Sequence, residues 1–256
     1  MRFIIRAAAA AALTFAAIAT ANAETVRIGT EGAYPPFNNL TPDGQLVGFD
    51  IDIAKALCDE MKVECEFVTQ DWDGLIPALE ANKFDAIIAS MSITDERKKK
   101  VDFTNKYYNT PPAIAVPKDS DIKGVSPEAL AGKTIGAQSA TTHANFAEEK
   151  YPDADVKVYP TADEYKLDIS NGRLDAVVDD VVVLSDWVKS EDGACCKILG
   201  TVKPDAAIYG EGIGIALRKG DDALREKFNK AIVAIRANGT YKKINDKYFE
   251  FDVYGD

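Results

Sequence analysis

A chain of 256 residues with 41 Asp and Glu against 30 Lys and Arg, and a formal net charge of −11, lacks the clustered cations that phosphate contacts need, so nucleic acid is excluded as a partner. Its four cysteines and single histidine, His143, offer no second pair of ligands at a usable spacing, and neither a metal nor another cofactor is expected.

Arg2 and Arg6 precede an apolar, Ala-rich stretch from Ala7 to Ala19, and Ala21-Asn22-Ala23 fits the small-x-small signature of secretory cleavage. That apolar core is shorter than the roughly 20 residues a membrane-spanning helix needs. Residues 1–23 therefore read as a signal peptide, and 24–256 as an exported chain long enough for one large domain or two lobes.

The mature chain opens with a strand over 25–30 and a rigid loop, Gly32-Ala33-Tyr34-Pro35-Pro36-Phe37, placed to face a cleft. Ile51, Ala54, Leu57, Cys58 and Met61 recur at helical spacing, and 65–69 reads as the next strand. The short turn between helix and strand brings Cys58 to Cys65, and in an oxidising compartment a disulfide between them is expected. A helical stretch over 72–81 and a strand over 85–89 complete a β-α-β-α-β unit. Lys98-Lys99-Lys100 reads as a solvated helix face.

Beyond an extended, Pro-stiffened segment over 107–112, the same order returns: strand 133–137, helix 142–150, strand 156–159, helix 162–171, strand 174–178. Residues carry the repeat as well. Lys83-Phe84-Asp85-Ala86-Ile87-Ile88-Ala89-Ser90 and Arg173-Leu174-Asp175-Ala176-Val177-Val178-Asp179-Asp180 each give a basic residue, a buried strand and then small polar groups. Ligands of open α/β sheets bind at the carboxyl ends of the strands, so two copies suggest two halves of one site.

Cys195 and Cys196 are adjacent, and a bond between them closes a distorted eight-membered ring, so the bonded and unbonded states both stay open. Gly210-Glu211-Gly212 then leads to a strand over 213–217 and helices over 221–237 and 240–248, which have no counterpart in the second repeat and return to the first. The expected organisation is lobe 1 from 24–108 and 213–256, lobe 2 from 113–208, and a two-strand hinge at 109–112 and 209–212, suited to closure about a ligand.

Val26-Arg27-Ile28-Gly29-Thr30, Gly48-Phe49-Asp50-Ile51-Asp52, Asp73-Gly74-Leu75-Ile76-Pro77, Met91-Ser92-Ile93-Thr94 with Arg97, and Gly172-Arg173-Leu174-Asp175-Ala176 together resemble the periplasmic binding proteins for polar amino acids. The tail, Tyr248-Phe249-Glu250-Phe251-Asp252-Val253-Tyr254-Gly255, is similar to that of the lysine/arginine/ornithine- and histidine-binding branch. This resemblance, which spans the mature chain, implies the α/β, two-lobe type II periplasmic-binding-protein fold. It also implies a monomeric periplasmic receptor that hands a cationic L-amino acid (arginine, lysine, ornithine or histidine) to an ABC-type permease in the inner membrane.

A site that takes a zwitterion out of water must supply hydrogen-bonding groups of both signs. The planar fork of Arg97 suits the α-carboxylate. Thr141 and Thr142 open a helix whose N-terminus favours an anion, capping being their other reading, and in the resembled family the matching positions bind the carboxylate. Ser90, Ser92 and an acid at the end of the second repeat serve the α-ammonium. The residues alone leave Asp179 and Asp180 undecided, since alternation turns only one of them to the cleft; the resemblance selects Asp180. Ala89 stands where the relatives often carry Ser.

Tyr34 and Trp72 read as aromatic walls for the ligand's side chain, Glu31 as the partner of its distal cation where the relatives often have Asp, and Gln138 as a further contact. His143 reads as a helix-face residue; lining the cleft, it would disfavour a cation once protonated near about pH 6. Two alternatives keep the fold. In an exported cyclohexadienyl dehydratase-like enzyme, Glu31, Asp180 or His143 would be recast as acid or base. In an opine receptor, the ligand's second carboxylate needs a donor that the sequence does not clearly supply. The ammonium-binding groups and Glu31 favour the amino-acid reading, with no catalytic residue.

Overall fold

The computed structural model describes residues 24–255; the signal segment expected at 1–23 lies outside them. The chain begins with β1 (Thr25–Thr30), a small antiparallel sheet of β2 (Ala33–Tyr34), β3 (Asn38–Leu40) and β4 (Leu46–Val47), and then α1 (Phe49–Met61), β5 (Glu64–Thr69), α2 (Leu75–Glu80), β6 (Ala86–Ile87) and β7 (Val101–Phe103). Next come β8 (Pro112–Pro117), α3 (Pro127–Leu130), β9 (Thr134–Gln138), α4 (Thr142–Lys150), β10 (Asp155–Tyr159), α5 (Ala162–Ser170) and β11 (Ala176–Asp180). The remainder is α6 (Val181–Trp187), β12 (Cys196–Thr201), α7 (Ala206–Tyr209), β13 (Ala216–Arg218), α8 (Asp222–Ala237) and α9 (Thr240–Tyr248).

Two five-stranded sheets organise these elements, in the orders β5-β1-β6-β13-β7 and β10-β9-β11-β8-β12. In each, three parallel strands joined by helices are followed by one antiparallel strand, β13 or β8, which pairs antiparallel in turn with the outermost strand, β7 or β12. The chain passes from the first sheet to the second over 104–111 and returns over 202–215.

The sequence repeat is a repeat of physical contacts. Asp85 accepts the Arg27 backbone N–H at 3.0 Å and returns its own N–H to the Arg27 carbonyl at 2.8 Å. In the second sheet Asp175 does the same with Thr134, at 2.8 and 2.9 Å. Each acid thus docks the entry of its strand onto the first strand of its own β-α-β-α-β unit. The apolar residue before it completes the match: a Cβ on Gly29 would meet the Phe84 ring at 2.5 Å, and one on Gly136 would meet Leu174 at 2.5 Å. Both glycines are small because a large side chain packs on the sheet there.

Helices cover the sheets as their spacing dictates. Phe228, Ala231, Ile232 and Ile235 form the buried stripe of α8, which packs with α1 residues Ile53 and Leu57 in the core of the first lobe. Lys62, at φ 59°, ends α1 in a left-handed turn that folds the chain back, and the expected disulfide joins Cys58 to Cys65 across that turn. Closing so short a loop contributes about 2 kcal/mol by the chain-entropy relation. Cys195 and Cys196 are unbonded, one exposed and one buried, their sulfurs 2.8 Å apart.

Several boundaries differ from expectation. The helix expected over 72–81 is a 3-10 turn at Trp72–Gly74 followed by α2, because Pro77 has no N–H to return to Asp73 and sits in the first turn of a new helix. The strand expected over 85–89 pairs only at Ala86–Ile87. The strand expected over 174–178 runs instead to Asp180, so both acids belong to it. That expected over 213–217 forms a ladder only from Ala216; Ile213 makes isolated bridges to Ser92 and Tyr108. Gly210, at φ +70°, marks a close approach beside this return crossing: a Cβ would lie 1.8 Å from the Ile93 carbonyl oxygen.

Candidate functional site

The parallel strands of both sheets end at one cavity between the lobes. Its walls include every predicted contact: Glu31, Tyr34, Trp72, Ser90, Ser92 and Arg97 from the first lobe, and Gln138, Thr141, Thr142 and Asp180 from the second.

At one end the Arg97 guanidinium lies 5.2 Å from the Trp72 ring centre and donates to the Ser92 carbonyl and, across the cleft, to the Ala140 carbonyl, both at 3.1 Å. Burial pulls its pKa down to about 10, which leaves it charged at neutral pH. Thr141 caps α4, accepting from the Ala144 N–H at 3.1 Å, and Thr142 begins the helix with its hydroxyl 3.4 Å from that of Ser92. A guanidinium and the first turn of a helix therefore converge on one anion-favouring corner.

Opposite charge lines the rest. The Asp180 carboxylate, at the N-terminus of α6, accepts from the Val182 N–H at 2.7 Å and from the Thr110 hydroxyl, and burial pushes its pKa up to about 7. Glu31 is likewise pushed up to about 7 by burial, against the pull of the Gln138 amide, which donates to it at 2.6 Å. Ser90 lies between Ala89 and Met91 at φ 56°, an uncommon conformation for a residue with a side chain, with its hydroxyl donating to Asp50 at 2.9 Å.

The structure separates the two adjacent acids. Asp180 lines the cavity, whereas Asp179 accepts from the Tyr34 and Tyr165 hydroxyls and from the Asp180 N–H, and faces His143 Nε2 at 3.3 Å. His143 departs from the helix-face expectation. It lines the cavity, with Nδ1 3.2 Å from the Tyr209 hydroxyl, and burial lowers its pKa although Asp179 opposes that shift. Tyr34 and Trp72 also do more than form walls, since Trp72 Nε1 donates to the Ala140 carbonyl at 3.2 Å and both side chains thereby bridge the lobes.

Sequence reasoning missed Tyr108, Asn109 and Thr110, and Pro204, Tyr209, Gly212 and Ile213, which also line the cavity. Most lie on or beside the two crossings, so their signal was the Pro- and Gly-rich punctuation read only as a hinge. Lys98 is not simply solvated: it pairs with Glu211 at 2.5 Å, beside the return crossing.

The family model of the bacterial extracellular solute-binding proteins, family 3, matches residues 26–251. The chain belongs to this family. Among family members, an L-arginine-binding protein of Pseudomonas aeruginosa is 52% identical over 233 residues, covering 90% of each chain. A histidine-binding periplasmic protein of Escherichia coli is 40% identical, over 98% of this chain and 96% of its own. A solved structure of an ancestral arginine-binding protein bound to arginine superposes with a TM-score of 0.82 at 42% identity, over 89% of this chain and 99% of that one. The two-lobe α/β architecture of this family-3 chain is the type II periplasmic-binding-protein fold.

Proposed function

We propose that this protein captures a cationic L-amino acid, arginine foremost among arginine, lysine, ornithine and histidine, by closing two lobes around it, and presents it to an ABC-type importer. The charge pattern of the cavity carries this reading. One guanidinium, Arg97, and two carboxylates, Glu31 and Asp180, line it; they complement a molecule with one carboxylate and two cations. Arg97 and the start of α4 take the α-carboxylate, Asp180 with Ser90 and Ser92 takes the α-ammonium, and Glu31 takes the distal cation between Tyr34 and Trp72. The names of the arginine- and histidine-binding relatives support the same class.

Closure follows from where the partners sit. The α-carboxylate and the α-ammonium each draw on both lobes, and the lobes themselves meet through Gln138 with Glu31 and through Ala140 with Trp72 and Arg97. Segments 109–112 and 209–212 act as the hinge, between lobe 1 at 24–108 and 213–256 and lobe 2 at 113–208. The chain works as a monomer in the periplasm after removal of residues 1–23, and it binds rather than transforms its ligand. An opine fits less well, because Arg97 is the one Lys or Arg lining the cavity among the described residues, which leaves a second carboxylate without a cation.

Protein unfolded and refolded to remove carried-over ligand, then screened by thermal shift against amino acids and opines, tests this. A ligand specific to the native state raises the midpoint by mass action. Arginine is expected to give the largest rise; a larger rise with a neutral amino acid overturns the assignment.

A further inference from the structure

The Gly48-Phe49-Asp50 segment places a carboxylate that the ligand reading does not use. Asp50, in the first turn of α1, has no exposed surface and stands outside the cavity lining. Its Oδ1 accepts from the Tyr107 hydroxyl at 2.7 Å, and its Oδ2 accepts from the Asn38 amide at 3.0 Å and the Ser90 hydroxyl at 2.9 Å. Every donor leads to the site. The Asn38 side-chain oxygen accepts from the Gly32 N–H at 2.8 Å, next to Glu31; Tyr107 precedes Tyr108; and Ser90 is itself in the wall. Burial raises the Asp50 pKa, while these three donors and the N-terminus of α1 favour the ionised form.

A serine hydroxyl has one proton to donate and two lone pairs to accept with. Ser90 gives its proton to Asp50, since a carboxylate is a stronger acceptor than the Tyr108 hydroxyl that also meets Ser90. Toward the cavity its oxygen is left as an acceptor only. We propose that Asp50 is a positioning residue that commits Ser90 to accepting a hydrogen bond from the ligand's α-ammonium, so that the demand for an amino group is set from behind the cavity wall. The proposal rests on the amino-acid reading given above.

Isothermal titration tests it, with the native protein, Asp50→Asn, Ser90→Ala and the double variant titrated against arginine and its des-amino analogue, which keeps the carboxylate and guanidinium. Asp50→Asn should lower arginine affinity roughly tenfold or more, leave the analogue within about twofold, and cost nothing further when Ser90 is already Ala. Equal losses for both ligands, or an undiminished loss in the Ser90→Ala background, overturn the inference while arginine binding by the native protein stands. Native protein that binds no arginine overturns the amino-acid reading and this inference together. Ser90→Ala, which leaves Asp50 its Asn38 and Tyr107 donors, guards against an Asp50→Asn protein too unstable to titrate. It too should discriminate against arginine relative to the analogue, and equal losses from it also overturn the proposal.

Discussion

The Tyr34 hydroxyl donates to the Asp179 carboxylate across the cleft, and the Tyr165 hydroxyl and the Asp180 N–H donate to the same group. A residue of the first lobe is thus tied to a buried acid of the second, one position from the acid that lines the cavity.

Tyr34→Phe keeps the ring that stacks on Phe37, 6.0 Å away, and removes only this cross-cleft donor. Hydrogen bonds to charged groups are worth about 1.5–3 kcal/mol, so arginine affinity should fall at least about tenfold with little change in the fold. Calorimetric titration and small-angle scattering of the liganded protein check the affinity and the degree of closure. Unchanged values for both would show that closure does not use this bond.

Asp180→Asn should separate stability from function. Burial raises the folded-state pKa of Asp180 to about 7, above its unfolded value, so without ligand the ionised group costs stability that sets in as pH rises from about 4 toward 7. Asn still caps α6 by accepting from the Val182 N–H. The ligand-free variant should therefore melt at or above the native temperature near about pH 8 and lose that advantage near about pH 4, while arginine binds about a hundredfold or more weakly. Scanning calorimetry at both pH values, with titration at the higher one, tests the pair of outcomes.

Glu31→Gln keeps an oxygen for the Gln138 amide and deletes the charge. Arginine and lysine should lose affinity roughly tenfold more than glutamine does. Parallel losses across charged and neutral ligands would remove Glu31 as the partner of the distal cation.

Proton release should accompany binding. Glu31 and Asp180 are both raised to about 7 by burial, so each is partly protonated at neutral pH, and a bound cation lowers both. Arginine affinity should rise from about pH 6 to about pH 8, and the binding enthalpy near pH 7 should depend on the ionisation heat of the buffer. A buffer-independent enthalpy would contradict this. His143 adds little, because burial already lowers its pKa.

The β-α-β-α-β order is legible in the sequence because helical spacing and the matched Asp85 and Asp175 segments repeat it, and strands that end in polar residues point to the cavity. The sheet of β2, β3 and β4 is not, since strands of two or three residues are too short for alternation to register. The part played by Thr110 depends on its meeting Asp180, 70 residues away, which no local pattern encodes. His143 shows a related limit: spacing places it on a face of α4 but does not say that Asp179 and Tyr209 lie opposite that face.

β13 sits inside the first sheet, between β6 and β7, although its residues, Ala216–Arg218, follow the whole of the second sheet. The second sheet is drawn entirely from Pro112–Thr201. As the chain emerges, the later-written sheet can be finished first, whereas β6 keeps an open edge until about the last sixth of the polypeptide arrives. The first sheet therefore depends on a strand written after the second sheet is complete, and a truncation before Ala216 would leave the Arg97-bearing half of the site on an unclosed sheet.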